Sequence, residues 1–345
     1  MGKVRNNKTI YFANAWKGLI TKTARQQLEN LGWTVDGNWL NGKNINSLYK
    51  VIFIAPAYFD KAIIINPKEF PTSKVFTYLL YPDELVGWNF KTSSYLKEKQ
   101  KAFIPLLKTT TILSHSQYTL DLVASTYGES LNQTGHITYL PIEFNNIQKV
   151  RTGMSTRRGT TIKVLWNHMW RSDKGIGKAL TIVDQLSLRY PDVEFYVGRK
   201  ESWGKNPDVN TVKRQTKEVL LKLQTRNNVF FRPGFNSSKI IDYWKFLTQF
   251  DIGFSVSPQE GFGLSMLEQA AAGVACVMPS KEAYPEIHSG GLLVQNVAEG
   301  VSDLIKNSLK RKEVSQKGIK NASKFNAENW TERILEKIIQ FNSFL

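Results

Sequence analysis

A chain of 345 residues, 41% hydrophobic and 12% aromatic, carries enough apolar material for two α/β cores of ordinary size and excludes a disordered or low-complexity polypeptide. Its one cysteine, Cys276, lies in the apolar run Val274-Ala275-Cys276-Val277; this excludes disulfides and a cysteine-based zinc site, and fits a reducing cytosol. The net charge of +17 is shared by both halves, with 17 Lys+Arg against 10 Asp+Glu over residues 1–150 and 29 against 19 over the rest. Such a field predicts a polyanionic partner, nucleic acid or anionic lipid; a basic background composition that only aids solubility is the plainer alternative.

The opening residues do not read as a signal peptide, and the apolar runs 51–55 and 62–65 are too short to span a bilayer. Residues 9–13 predict a first buried strand, followed by the loop Asn14-Ala15-Trp16-Lys17-Gly18 and a helix through Leu31. Short apolar strands ending in polar loops recur at 51–55, 75–80 and 111–114, with helical stretches around 95–107 and 119–127. A strand at 136–141 closes this half. This alternation predicts a parallel sheet covered by helices on both faces.

Residues 145–161 lose periodicity and carry Lys149, Arg151, Arg157 and Arg158 among Gly, Ser and Thr, a linker composition. The alternation then restarts with strands at 163–167, 193–197, 229–231, 251–256 and 274–278. The expected organisation is therefore two doubly wound domains, residues 1–150 and 151–325. A final helix at 326–345 is expected to return to the first domain. In such folds ligands bind beyond the C-terminal ends of the strands.

The segment with the most chemistry runs from Phe254 to Gly273. A buried strand ends in the loop Ser257-Pro258-Gln259-Glu260-Gly261-Phe262-Gly263, and an Ala-rich helix begins near Leu264. Two glycines permit close backbone approach, and free N–H groups at a helix start attract an anion such as a diphosphate. Glu260 in the loop and Glu268 one turn inside the helix can accept hydrogen bonds from vicinal hydroxyls on either side of those phosphates.

This segment resembles the Glu-x7-Glu motif of the family-4 retaining glycosyltransferases, whose fold is GT-B, two Rossmann-like domains facing a cleft. Lys163-Val164-Leu165-Trp166-Asn167-His168-Met169-Trp170-Arg171-Ser172-Asp173-Lys174, Ala283-Tyr284-Pro285-Glu286-Ile287 and Ile137-Thr138-Tyr139-Leu140-Pro141-Ile142 resemble one branch, the tRNA-queuosine mannosyltransferases. The resemblance implies a UDP- or GDP-sugar as co-substrate and no other cofactor. It places Lys174 on the donor diphosphate, Glu268 on its ribose and Glu260 on the transferred sugar, with Gly261, Phe262, Gly263 and Leu264 lining the donor. The family's arginine, five residues before the lysine, is here Met169, so Arg171 is the expected substitute.

On the acceptor side the branch's histidine is replaced by Pro82-Asp83-Glu84. Asp83 or Glu84 could take the acceptor proton or, equally, cap a helix. His115 is a second candidate. Trp16, Lys17, Gly18, Glu84, Arg157 and Arg158 are candidate acceptor contacts. No Asp-x-Asp pair occurs, so leaving-group charge is expected to be met by Lys174 and the helix start and not by a metal.

The leading acceptor is a hydroxyl on a hypermodified base, in tRNA or in modified viral DNA, with the protein in the cytoplasm, a host's if viral. The alternative is a membrane-surface glycosyltransferase of lipid-linked or envelope glycans, suggested by the Lys/aromatic stretch 88–103. A third reading keeps the fold and drops catalysis, which retention of both glutamates and Lys174 disfavours.

Overall fold

The computed structural model describes residues 9–13, 22–36, 51–54, 74–79, 104, 107, 110–128, 135–154, 160–198, 209–232 and 240–340. The chain forms two compact units, residues 1–142 with 325–345, and residues 143–324. Among the described residues no helix is long and apolar enough to cross a membrane.

The first unit holds β1 (Thr9–Ala13), α1 (Lys22–Asn30), β2 (Thr34–Asp36), β3 (Val51–Ile54), β4 (Lys74–Leu79), β5 (Thr111–Ser114), α2 (Gln117–Tyr127) and β6 (Gly135–Ile137). Its sheet runs β2-β1-β3-β4-β5-β6, every pairing parallel, with Phe12 opposite Phe53 and Phe53 opposite Phe76. Parallel neighbours need crossovers, which explains why turn-rich loops and helices separate these strands in the sequence. α1 buries Ala24 and Leu28, four apart on one face, and leaves Arg25 and Glu29 paired at 2.9 Å outside. α2 starts at Ser116, whose hydroxyl accepts from Thr119 N, and ends where Gly128 adopts a φ of 124°.

The second unit opens with α3 (Phe144–Gly153) and continues through β7 (Lys163–Trp166), a 3-10 turn at Ser172–Lys174, α4 (Ile176–Arg189), β8 (Glu194–Gly198), α5 (Val209–Gln224) and β9 (Val229–Arg232). It then adds α6 (Ile240–Leu247), β10 (Ile252–Phe254), α7 (Leu264–Ala271), β11 (Ala275–Pro279), α8 (Tyr284–Ile287), β12 (Leu292–Val294), α9 (Val297–Lys306) and α10 (Ser308–Ala322). The sheet order is β12-β11-β10-β7-β8-β9, again all parallel. Its four inner strands are buried on both faces, hence near-continuously apolar: Val164, Trp166, Phe195, Val197, Ile252, Phe254, Ala275 and Val277 form the core with the apolar faces of α4 and α9. Ile176, Ala179, Leu180, Val183 and Leu186 give α4 its helical-period stripe.

The stretch read as a linker differs from expectation. Residues 144–153 are α3, which buries Ile147 completely and donates from Gln148 Nε2 to the Ala271 carbonyl at the end of α7. With only one fully buried position the helix leaves little apolar periodicity to read. Of its basic residues, Arg151 donates to Gln148 Oε1 at 3.0 Å, while Arg157 and Arg158 lie outside the described residues. The loop containing Trp16, Lys17 and Gly18, the Asp83-Glu84 pair and nearly all of the 95–107 stretch also lie outside them.

After α10 the chain passes to α11 (Ala327–Gln340), which groups with the first unit and packs on α1. Ile142 N donates to Phe325 O at 2.8 Å, the Tyr139 and Phe325 rings meet edge-on at 5.3 Å, and the Arg333 guanidinium lies 4.9 Å over the Tyr139 ring.

Candidate functional site

In the second unit the chain lays down β7, β8 and β9 in one direction, then crosses back to place β10 on the other side of β7. The loops after β7 and β10 therefore leave the sheet side by side and diverge, which is where open α/β sheets bind ligands. Two helices start from these loops. α4 follows Gly175, whose φ is 69°, and α7 follows Gly263, whose φ is 83°; neither start has a side-chain cap.

Both glycines are required by their surroundings. A Cβ at Gly175 would stand 2.6 Å from the Val256 carbonyl oxygen, and one at Gly263 would stand 2.6 Å from His288 Nε2. The two loops thus touch through backbone, and Ser257 Oγ reinforces the contact 2.7 Å from the Asp173 carbonyl. Adjacent helix N-termini, left uncapped by side chains, concentrate positive dipole ends and suit an anionic ligand.

The loops bring Lys174 and Glu260, 86 residues apart, to 2.9 Å. Glu260 is nearly buried, and its Oε1 accepts from Gly263 N at 3.1 Å, so the carboxylate also shapes the turn into α7. Burial raises the Glu260 carboxyl, but the Lys174 ammonium opposes this and prevails, holding it below the usual carboxylate range. Glu260 N in turn donates to Glu282 Oε2 at 3.2 Å, from a residue held at a φ of 59° in the loop after β11.

α8 explains why Ala283-Tyr284-Pro285-Glu286-Ile287 stood out in the sequence. The Tyr284 hydroxyl meets Ser255 Oγ at 2.6 Å, and His288 Nε2 donates to the Phe262 carbonyl at 2.9 Å, fixing the loop from below. Burial pushes His288 down to about 4, so the ring is neutral at pH 7 and Nε2 carries the proton that this bond uses. His168 is also pushed down to about 4, by burial first, and interacts electrostatically with Glu260, Lys174 and His288. Among the described residues its Nε2 is buried without a hydrogen-bond partner.

Glu268 stands one turn into α7. Desolvation raises its carboxyl to about 7, although the Tyr243 hydroxyl, donating to Oε2 at 3.0 Å, opposes the rise. Tyr243 comes from α6 and accepts from Asn167 Nδ2 at 3.0 Å; Ser265 Oγ donates to the Asn167 carbonyl at 2.6 Å. Tyr243, Asn167, Ser265 and His288 join this cluster through hydrogen bonds, and sequence reading did not single them out. Asn167, directly after a buried strand, offered a positional signal; Tyr243, from a separate helix, offered none.

The structure thus gathers Lys174, Glu260, Gly261, Phe262, Gly263, Leu264 and Glu268 along adjoining loops and one helix start. Arg171 stands in the same turn, paired with Asp173. Its Nε and Nη2 both bond Asp173, each at 2.7 Å, a bidentate fit that orients the guanidinium. His115 in the first unit is 2% exposed; its Nδ1 meets the Leu79 carbonyl and its Nε2 the Thr119 hydroxyl. In this setting the histidine ties β5 to β4.

These two parallel sheets with helix-start loops have the GT-B fold, that of a large class of glycosyltransferases. Similar solved structures include a glycosyltransferase from Rickettsia africae ESF-5 (13% identity, TM-score 0.67, covering 96% of this chain and 97% of that one). Another is sucrose-phosphate synthase from Thermosynechococcus elongatus (10%, TM-score 0.75, 98% and 100%). A third is Anabaena HepE, solved in complex with UDP and glucose (14%, TM-score 0.65, 96% and 99%). Among curated proteins the chain is similar to the tRNA-queuosine alpha-mannosyltransferase of Drosophila melanogaster, 26% identical over 165 residues. That stretch is 46% of this chain and spans only 41% of the relative's length. No family model matches the chain.

Proposed function

We propose that the chain is a retaining, metal-independent glycosyltransferase that moves a sugar from a nucleotide-sugar donor to a hydroxyl on a modified nucleic-acid base. The observation that carries it is the meeting of Lys174 and Glu260 beside the glycine-started helix that bears Glu268, at the switch point of a parallel sheet. In this reading Lys174 and the starts of α4 and α7 hold the diphosphate, Glu268 grips the ribose and Glu260 the transferred sugar. The bond from the anomeric carbon to the diphosphate oxygen breaks, and a bond from that carbon to the acceptor oxygen forms on the same face. The acceptor's proton leaves to a base, for which Asp83 or Glu84 is our candidate. Charge growing on the departing nucleoside diphosphate is stabilised by Lys174 and the helix dipoles, already oriented before the reaction.

HepE, with UDP and glucose bound, supports the donor class, and the curated relative's name supports a modified tRNA base as acceptor. The net charge of +17 supports a nucleic acid in general. The test is incubation with radiolabelled UDP- and GDP-sugars against tRNA, modified DNA and lipid extract, with and without EDTA. Label in nucleic acid, undiminished by EDTA, is the expected result. Label in lipid alone would move the assignment to a membrane-surface enzyme, and loss with EDTA restored by Mn²⁺ would reveal a metal site.

A further inference from the structure

We infer that Tyr243 is a positioning residue of the donor site, a clasp that fixes which oxygen of Glu268 is offered to the ligand. The inference rests on the donor-site reading above. Three elements converge on the phenol oxygen: the loop after β7 supplies Asn167 Nδ2 at 3.0 Å, α7 supplies Glu268 Oε2 at 3.0 Å, and α6 supplies the tyrosine itself. The hydroxyl accepts one bond and donates the other, so its proton is directed at Glu268. With Oε2 held in this way, Oε1 is the oxygen left to accept from a diol.

Ser265 ties the same assembly to α7 a second time, through its hydroxyl to the Asn167 carbonyl at 2.6 Å. Neither strand loop nor helix can shift without breaking one of these bonds, and a carboxylate with a fixed rotamer loses less freedom on gripping a ribose. The clasp has an electrostatic role as well. Desolvation pushes Glu268 up to about 7, and the Tyr243 hydrogen bond is what opposes it. The ionised carboxylate accepts from a diol more strongly than the protonated acid does, so a donor grip built on this residue weakens as the pH falls through neutrality. Removing the phenol proton therefore moves that weakening to higher pH.

The experiment is calorimetric titration of UDP and GDP from pH 6 to 9 into the full chain, its Tyr243→Phe and Glu268→Gln variants, and Asn167→Ala. Glu268→Gln reports how ionisation of the nucleotide's own phosphates contributes. Tyr243→Phe is expected to bind five- to tenfold more weakly than wild type at pH 7 and within twofold of it at pH 9, with a raised donor KM and unchanged kcat. Asn167→Ala, which withdraws the donor held against the phenol oxygen, should move the profile the same way by less, and it serves alone if Tyr243→Phe does not fold. Profiles that superimpose on wild type, or weak binding with no recovery at pH 9, would overturn the inference. Glu268→Gln binding like wild type at every pH would instead overturn the donor-site reading on which it stands.

Discussion

Lys174 and Glu268 differ in what removal would do. Lys174 shares its charge with Glu260, so Lys174→Ala leaves a nearly buried carboxylate without its counter-ion as well as removing the proposed phosphate contact. Glu268→Ala removes a carboxyl whose burial is already unfavourable to its charged form and costs the fold little. Loss of a charge-assisted hydrogen bond is worth about 1.5–3 kcal/mol, so each variant should lower kcat/KM for the donor by about 10- to 100-fold or more. Denaturant midpoints should separate them, with Lys174→Ala the less stable. Gly263→Ala is the third residue-scale case. A left-handed backbone and a Cβ 2.6 Å from His288 Nε2 should cost about 1–3 kcal/mol and disturb the start of α7, read as a lower urea midpoint with weakened UDP binding.

Elements here are held by a few side chains reaching across long stretches of chain. α11 is the clearest example, fixed to the first unit by Trp330, Ile334 and Ile338, all buried, and by the Tyr139 ring between Phe325 and Arg333. Trp330→Ala should cost about 3–5 kcal/mol, the range for emptying an aromatic from a packed core. The loss should appear as a lower or split thermal transition, while UDP binding by the second unit is retained. α3 is a contrasting case, anchored by Ile147 and by Gln148 on the Ala271 carbonyl. Its one buried apolar side chain explains why it reads as linker in the sequence.

For the whole molecule, two linked properties can be measured. Neutral His168, partly buried, and buried His288 sit near 4, where the unfolded chain titrates near 6.5. The unfolded chain therefore binds more protons between those values, and stability falls as pH is lowered from 6.5 to 4. Glu268 works oppositely: its folded carboxyl keeps a proton up to about 7, so its contribution is lost as pH rises from 4.5 to 7. Two histidines against one carboxyl should leave the protein less stable in acid, each histidine contributing on the order of 3 kcal/mol at the limit. His288→Gln, which still donates to Phe262, should remove part of that loss when urea midpoints at pH 4 and 7 are compared. The charge of +17 sets the second property. Binding to tRNA or DNA should weaken from 50 to 300 mM salt with a log–log slope of about −0.7 to −0.9 per phosphate contact. Salt-insensitive binding, or preference for anionic vesicles, would remove nucleic acid as the acceptor.

Most strand positions, the alternation of strand and helix, and the loop-to-helix form of the Glu260-to-Glu268 segment can be read from the sequence alone. Parallel strands buried on both faces leave unbroken apolar runs, and a glycine-bounded turn before an Ala-rich helix can be read locally. The three-residue edge strands β2 and β12 were not legible, since so short a run carries no period. Tertiary structure decided what depends on distant pairs. It put Lys174 on Glu260 across 86 residues, closed Arg171 on Asp173, buried His115 between β4 and β5, and brought Tyr243 to Glu268. The Lys174–Glu260 and His115 outcomes turn on strand order, which places β10 beside β7 and β4 beside β5, Tyr243 reaches Glu268 by the packing of two helices, and the Arg171–Asp173 pair is local but depends on the form of its turn; spacing along a chain carries no record of which strands become neighbours.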